Sequence, residues 1–220
     1  HHPVMAAHRA RGGRVVFVAN DGTNGAELWA SDGTAAGTAM LIDAKSGAAG
    51  SAPELRGNLI VGGVVDPTRL LYLLDNGTNG SELWVTDGTT GGTSLFKDIN
   101  PGAGSATVSS WTAVNGRAVF IADNGTTGAE LWVSDGTSAG TALLADLRPG
   151  SEGSNPTIVG HVAVNGVVDP KRLLVLLDNG TTGQELWVTD GTLAGTTQWN
   201  DANPGSPGSF ATDTTMEVKG

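Results

Sequence analysis

The sequence predicts an all-β protein: a four-bladed β-propeller with four-stranded antiparallel blades, closed by pairing of its N- and C-terminal strands. Three observations predict this fold. A segment of the type DNGTNGSELWVTDGTTGGT occurs four times along the chain. The apolar residues fall into short runs rich in Val and Leu, which are typical of strands. Glycine makes up 34 of the 220 residues, roughly double the usual share, and this favours many turns over helices.

The spacing of the repeated segment indicates stacked units of one kind. The Glu of its ELW motif recurs at steps of 55, 48 and 55 residues, at Glu27, Glu82, Glu130 and Glu185. A period of this length is typical of propeller blades or of another stacked array, because one such unit cannot bury its own faces. We predict a tail or tag remnant at 1–13 and a single four-repeat domain at 14–220. Its units run over about 14–58, 59–110, 111–158 and 159–220.

Each unit contains four predicted strands. The first is a continuous apolar run, as in RVVFVA from Arg14, which indicates a strand buried on both faces. The second strand carries ELW, the third follows the DGT segment, and the fourth precedes the first strand of the next unit. Asp and Gly in the DGT segment predict a tight turn between the second and third strands.

The two ends of the chain predict how the array closes. WTAVNGRAVF from Trp111 predicts a hairpin that turns at Asn115 and Gly116. The matching TMEVKG from Thr215 has no strand after it, so its natural partner is RVVFVA from Arg14. This pairing would remove exposed sheet edges. The alternatives are an open stack, a fragment of a longer array, and a dimer that forms one eight-bladed ring.

The repeated ELW motif also resembles the repeat of a known protein family. ELWASDGT, ELWVTDGT, ELWVSDGT and ELWVTDGT resemble the ELWxxDGT repeat of bacterial proteins, over the range from Arg14 to Gly220. The resemblance implies a β-propeller-like protein that is extracellular, at the cell surface or periplasmic, and it implies no common catalytic chemistry. Two features depart from the usual unit: the VVDP insertions after Gly63 and Gly166, and TTQWNDA in place of a KDINPG-like third strand.

Composition excludes several classes of function. The net charge is −10, with 22 acidic and 12 basic residues, and this field repels phosphate backbones, so we predict no nucleic-acid partner. The chain has no Cys, which excludes disulfides and thiolate metal sites. No apolar run approaches the length of a membrane helix, about 18 residues or more, so we predict no membrane span.

The loop before ELW is a candidate calcium site. It offers Asp, Asn, Thr and Glu oxygens around two Gly, which suits the oxygen ligands that Ca²⁺ prefers. The alternative is an Asx-type turn in which Glu accepts backbone N–H bonds near the DGT hairpin. The candidate ligands are Asp21, Glu27, Asp75, Glu82, Asp123, Glu130, Asp178 and Glu185.

Glu and Trp of ELW are two residues apart, so both point to one face of the strand. Trp beside a carboxylate is typical of sugar binding. A large aromatic at the same place in every unit is also typical of a wedge between blades, and we favour the wedge.

Features outside the repeat are candidates for contact with a ligand or partner. Trp111 and Trp199 have no counterpart in the unit plan, although each can also cap the core. The VVDP insertions of the second and fourth units should project on opposite sides of one face of the ring. They suit a protein partner, a twofold dimer contact or a larger assembly, and their candidate residues are Asp66, Arg69, Asp169, Lys171 and Arg172.

These patterns favour a non-enzymatic binding or scaffolding module that acts through protein interaction or adhesion. The alternative is calcium-dependent or lectin-like glycan binding at several equivalent sites. A hydrolase or lyase with a central acidic pocket is a third alternative. The sequence shows no His cluster for zinc and no spacing typical of a Ser-His-Asp set.

Overall fold

The computed structural model describes residues 8–200, and in that range β-strands and one short 3-10 helix at Arg11–Gly13 are the regular elements. The strands are β1 His8–Arg9, β2 Val15–Asn20, β3 Ala26–Ser31, β4 Ala39–Ile42, β5 Glu54–Val61, β6 Val64–Asp75, β7 Ser81–Thr86, β8 Ser94–Lys97, β9 Thr107–Val114, β10 Arg117–Asp123, β11 Ala129–Ser134, β12 Ala142–Ala145, β13 Thr157–Val164, β14 Val167–Asp178, β15 Gln184–Thr189 and β16 Thr197–Asn200.

The strands form four antiparallel sheets of four strands each, in chain order. Sheet 1 holds β1–β4, sheet 2 holds β5–β8, sheet 3 holds β9–β12 and sheet 4 holds β13–β16. In sheets 2 to 4 the first strand is the predicted fourth strand of the preceding unit. The all-β, propeller-like architecture predicted from the sequence is confirmed at this level. The innermost strands begin a few residues before the unit borders placed on the sequence, at Glu54, Thr107 and Thr157.

The N-terminal edge of sheet 1 differs from the prediction. β1 lies beside β2, where His8 pairs with Val16 and Arg9 with Val15. Ala10 is buried in the core, so part of the predicted tail at 1–13 belongs to the sheet. The predicted closing strand from Thr215 to Gly220 lies outside the described residues. Closure of the ring by that strand stays a prediction.

The DGT segment forms a hydrogen-bonded turn that explains why it is repeated. In sheet 2 the Asp87 carboxylate accepts the backbone N–H of Thr89 at 2.9 Å and its hydroxyl at 2.6 Å. The Thr89 hydroxyl accepts the N–H of Gly92 at 3.0 Å, and Thr93 donates to the carbonyl of Thr89 at 2.7 Å. A Cβ on Gly92 would lie 2.0 Å from the Asp87 carboxylate, so only glycine fits there. The same bonds recur in the other three sheets.

Three buried clusters join neighbouring sheets, and all three use the same pair of faces. At each of these three contacts, the later sheet presents the side that carries the Trp of ELW and the earlier sheet presents the side that carries the Leu. We call these the Trp face and the Leu face. Trp84 of sheet 2 packs with Leu28 of sheet 1, and Trp132 of sheet 3 packs with Leu83 of sheet 2. The predicted wedge role of the repeated Trp is therefore confirmed for these two residues.

The inner hairpins set the shape of one end of the array. β5 and β6 turn at Gly62 and Gly63, β9 and β10 at Asn115 and Gly116, and β13 and β14 at Asn165 and Gly166. All six turn residues have positive φ, which suits the two-residue turns of tight hairpins. The DGT turns lie at this same end. We call it the hairpin end, and the opposite end, with the DNGTNG loops, the loop end.

Truncation of the Trp between sheets 2 and 3 tests the packing. We expect Trp132→Ala to lower the free energy of unfolding by about 3–5 kcal/mol, because it removes a buried aromatic from the cluster and leaves a cavity. The measurement is urea unfolding followed by far-UV circular dichroism. Leu193→Ala is the control, since Leu193 is exposed and its truncation should cost less than about 0.5 kcal/mol. Equal effects of the two variants would contradict the wedge.

Candidate functional site

The DNGTNG loops at the loop end are Asx-type turns. In sheet 2 the Asp75 carboxylate accepts the N–H of Gly77 at 2.7 Å, and the Asn76 side-chain oxygen accepts the N–H groups of Thr78 and Asn79 at 3.0 and 2.8 Å. The loops of sheets 3 and 4 repeat this pattern. These loop oxygens therefore already accept protein N–H bonds, as the alternative to calcium binding predicted.

The Glu of ELW is completely buried and anchors the segment that crosses to the next sheet. Glu82 accepts the N–H of Ile99 at 2.6 Å, of Asn100 at 3.3 Å and of Ala106 at 3.2 Å. The prediction that this Glu accepts bonds near the DGT hairpin was wrong, because its partners belong to the crossing segment at the opposite end of the strand. Glu27 and Glu130 make equivalent bonds, which reach Ser51 at 2.8 Å and Ser154 at 2.7 Å.

The candidate calcium ligands are therefore committed to other contacts in the sheets where the contacts are described. Asp75 pairs with Lys45 of the preceding crossing segment, and Asp178 pairs with Arg148 at 2.6 Å. The Lys45 ammonium, together with the Gly77 N–H, holds the pKa of Asp75 below its usual value. Within residues 8–200 no group of three or more His, Asp or Glu side chains is placed to hold a metal ion. Calcium binding stays a prediction.

Trp111 is part of the core. Its ring stacks on Phe120 with centroids 4.4 Å apart, and it packs against the cluster between sheets 2 and 3. This packing supports the alternative for Trp111, a cap on the core, and a ligand contact at Trp111 stays a prediction. The reason for the packing is geometric: β9 is an inner strand, and its side chains at this level face the neighbouring sheet.

Trp199 occupies a regular position of the repeat. Trp199 comes directly after Gln198, the residue that pairs with Trp187. In sheet 2, Phe96 likewise comes directly after the residue that pairs with Trp84. The equivalent residues in the other sheets are Leu41, Phe96 and Leu144. Those three residues face the following sheet, whereas Trp199 is 47% exposed. The Arg172 guanidinium lies 5.9 Å from its ring centroid. The structure thus brings two predicted contact residues together.

The charged residues of the insertions brace their own hairpins. Asp66 binds the Nε of Arg69 at 2.7 Å, and Asp169 binds the Nε of Arg172 at 2.7 Å. The Arg172 side chain and the Lys171 N–H lower the pKa of Asp169. Each pair spans an irregularity in the strand pairing, near Asn58 and His161. These four charges therefore hold the local bend of each hairpin.

A cavity at the hairpin end lies between the tips of the β5–β6 and β9–β10 hairpins and the middle of the β13–β14 hairpin. Its volume is about 400 Å³. The Asn115 N–H donates to the Pro170 carbonyl at 3.2 Å, and the His161 Nε2 lies 3.0 Å from the Ala113 carbonyl oxygen, so sheets 3 and 4 are tied together at the cavity wall. A Cβ on Gly63 would lie 2.6 Å from the Gly116 Cα, which shows how closely sheets 2 and 3 approach. The lining residues are Gly62, Gly63, Ala113, Val114, Asn115, Gly116, His161, Pro170 and Lys171.

Sequence reasoning found only Lys171 among these lining residues. The hairpin turn at Asn115 and Gly116 was predicted as a turn, but nothing in the sequence showed that it would meet the two insertions. The signal that pointed here was the insertion itself, which lengthens β6 and β14 to 12 residues each against 7 for β10.

Exposed valines cover the tips of both long hairpins. They stand opposite each other across each turn, where Val61 pairs with Val64 and Val164 with Val167. Val64 is 68% exposed and Val167 is 70% exposed. The other exposed valines of these strands are Val65, Val159 and Val168. Grouped apolar surface of this kind marks contact sites in soluble proteins.

Two of the solved structures that match the chain resemble it distantly. No family model and no curated protein matches the chain, so the ELWxxDGT resemblance stays a prediction. A puromycin hydrolase structure is 15% identical with a TM-score of 0.49, over 87% of this chain and 28% of that chain. A structure described as one of two prolyl endopeptidases is 14% identical with a TM-score of 0.44, over 89% and 26%. The chain spans about a quarter of their length, and likeness of this degree decides nothing about activity. No helix in the described range is long and apolar enough to cross a membrane.

Replacement of a buried Glu tests the anchor. We expect Glu130→Gln to lower the free energy of unfolding by about 1–3 kcal/mol, because the amide nitrogen that replaces one oxygen faces N–H donors it cannot accept. Glu152→Gln is the matched control, since Glu152 lies in the crossing segment bound by Glu130 and its side chain is 76% exposed. Urea unfolding measures both. An equal, small effect of the two variants would remove the anchor role.

The pH dependence of stability tests the charge state of this anchor. Burial raises the pKa of Glu82 above its ordinary value of 4.5, and the N–H bonds from Ile99, Asn100 and Ala106 only partly oppose it. A raised pKa in the folded state gives stability that is present at low pH and lost as pH rises through that pKa. We therefore expect wild type to gain stability relative to Glu82→Gln as pH falls from about 7 to about 5. Thermal melts at each pH measure the difference, and a difference that shrinks on acidification would contradict the assignment.

Proposed function

We propose that the protein is a non-enzymatic binding module that holds a protein partner at the hairpin end. The observation that carries the proposal is the pair of long hairpins, each with exposed valines at its tip, that both contribute residues to the lining of one cavity. The tip of β5–β6 meets the short turn of sheet 3, where a Cβ on Gly63 would lie 2.6 Å from the Gly116 Cα. The β13–β14 hairpin contacts the same turn through Pro170 and continues beyond that contact to its own turn at Asn165 and Gly166.

The site is built to be rigid before any partner arrives. Each long hairpin is braced by an Asp–Arg ion pair, and sheet 3 is bonded to sheet 4 through Asn115 and His161. A preformed surface loses little conformational freedom on binding, so more of the contact energy appears as affinity. This supports binding by the hairpin tips themselves rather than by a mobile loop.

The partner that fits is an extended protein segment with apolar side chains. Apolar side chains would cover Val64 and Val167, and Lys171 at the cavity wall offers one cation to a carboxylate of the partner. The site draws only on sheets 2 to 4, so it does not depend on closure of the array into a ring. The closed four-bladed ring, the extracytoplasmic location and a role in adhesion stay predictions.

Selection from a phage-displayed library of random peptides tests the proposal. We expect enriched peptides rich in apolar residues, and we expect their affinity to fall at least about tenfold for the combined variant Val64→Thr, Val65→Thr, Val167→Thr and Val168→Thr. Threonine keeps the β-branched shape that suits a strand while it removes apolar surface. Fluorescence anisotropy with the labelled peptides measures the affinity.

The control is Leu193→Thr on the outer turn of sheet 4. Leu193 is 66% exposed, which matches the exposure of the valines, but it stands on the DGT turn of sheet 4 and does not line the cavity. Peptides that bind the valine variant as tightly as wild type, or no enrichment at all, would overturn the proposal. Enriched peptides that lose affinity for Leu193→Thr alone would also overturn it, since they would place the site on the outer turn.

A further inference from the structure

Sheets 1 and 4 each have one apolar face that no sheet covers within residues 8–200. The three buried clusters join sheet 1 to sheet 2, sheet 2 to sheet 3, and sheet 3 to sheet 4. No buried cluster in this range joins sheet 4 to sheet 1. The uncovered surfaces are therefore the Trp face of sheet 1 and the Leu face of sheet 4.

The Trp face of sheet 1 is less buried than its counterparts. Phe17 and Trp29 pair across β2 and β3 and are only half-buried, whereas Tyr72 with Trp84 and Phe120 with Trp132 are buried. The DGT turn of sheet 1 also lacks a neighbouring sheet against it in the described range. A Cβ on Gly33 would meet nothing within 4 Å, while the matching glycines of sheets 2, 3 and 4 lie against the preceding sheet; these glycines are Gly88, Gly136 and Gly191.

A polar pair beside this face shows the same difference. The hydroxyls of Ser31 and Thr38 bond at 2.7 Å at an exposed position. The equivalent pair Thr86 and Thr93, also bonded at 2.7 Å, is buried. The turn of sheet 1 thus has the local structure of the other turns but lacks the neighbour that covers them.

The Leu face of sheet 4 is also less buried than its counterparts in the other sheets. Leu186 is half-buried, whereas its counterparts Leu28, Leu83 and Leu131 are fully buried. Trp199 is 47% exposed at a position where Phe96 is 7% exposed. Both uncovered faces therefore carry the apolar residues that join neighbouring sheets elsewhere in the chain, but no described sheet packs against them.

We propose that these two faces bind one another between two copies of the chain, so that the Leu face of sheet 4 in one copy packs on the Trp face of sheet 1 in the next. Continuity with the established interface carries the proposal, because the same pair of faces already meets three times within the chain. A second copy supplies the matching face on a complete four-stranded sheet.

The contact is head-to-tail, and this has a consequence for assembly. Two different patches meet, so each copy keeps one face free after the first contact. Two copies can close into one ring of eight sheets, and more copies can form a row. The proposal is independent of binding at the hairpin end, since Phe17, Trp29, Leu186 and Trp199 do not line the cavity there.

Sedimentation velocity of the full chain over about 1 µM to 1 mM, which brackets modest affinities, is the first test. We expect the sedimentation coefficient to rise with concentration as dimers or larger species form. A single monomeric species over the whole range would overturn the proposal, because it would mean that the two faces are covered within one chain or do not bind.

Complementing variants decide which faces meet. Trp29→Glu blocks the Trp face and Trp199→Glu blocks the Leu face, so each alone should remain monomeric or lose at least about tenfold in affinity. An equimolar mixture should form a one-to-one dimer, because each variant keeps the face that the other lacks. Leu193→Glu, on an exposed turn, is the control and should associate like wild type.

Two results would overturn the head-to-tail arrangement. One is association of wild type that neither face variant weakens, which would place the contact elsewhere. The other is a mixture that stays monomeric although both variants melt as cooperatively as wild type, which would indicate a contact of like faces. Where a variant melts without cooperativity, the concentration series of wild type still decides whether a second copy binds.

Discussion

In sheets 1 to 3, one buried carboxylate per sheet controls the course of the chain. Glu27, Glu82 and Glu130 each accept N–H bonds from the segment that leaves the sheet. The donor residues lie 17 to 24 residues further along the chain. A buried carboxylate without such partners would be strongly unfavourable. The crossing segment is therefore held in one path, and that path delivers the first strand of the next sheet to the same place every time.

The stack follows from this fixed path. Because the crossing segments between the four described sheets are held alike, the Leu face of one sheet meets the Trp face of the next at all three contacts, and Trp84 and Trp132 fill equivalent spaces. Ion pairs from a crossing segment to the next loop, such as Arg148 with Asp178, reinforce the same step. An array made by one repeated step has no inherent end, which is why sheets 1 and 4 are left with faces that match each other.

The sequence predicts most of the local structure because local rules decide it. The turn at Asn115 and Gly116 and the wedge role of Trp132 depend on residue type and spacing alone. The partners of Glu82 lie 17 and 24 residues away along the chain, so only the packed fold brings them together. Trp199 was treated as irregular because its side chain is unusual, although its register is that of Phe96. The cavity was missed since it arises where three hairpins meet.

The repeated polar groups are largely used in bonds that build the array, so the proposed recognition rests on the parts that are not repeated. The Asp, Thr and Gly of each DGT turn bond to one another. The Glu of ELW is buried, and in sheets 1 to 3 its carboxylate accepts N–H bonds from the crossing segment. The insertions stand on sheets 2 and 4 only, so valine tips alternate with the short turn of sheet 3. Head-to-tail docking would continue that alternation into the next copy. The result would be a row of equivalent hairpin pairs, in which weak binding at each cavity adds up when the partner carries several apolar segments.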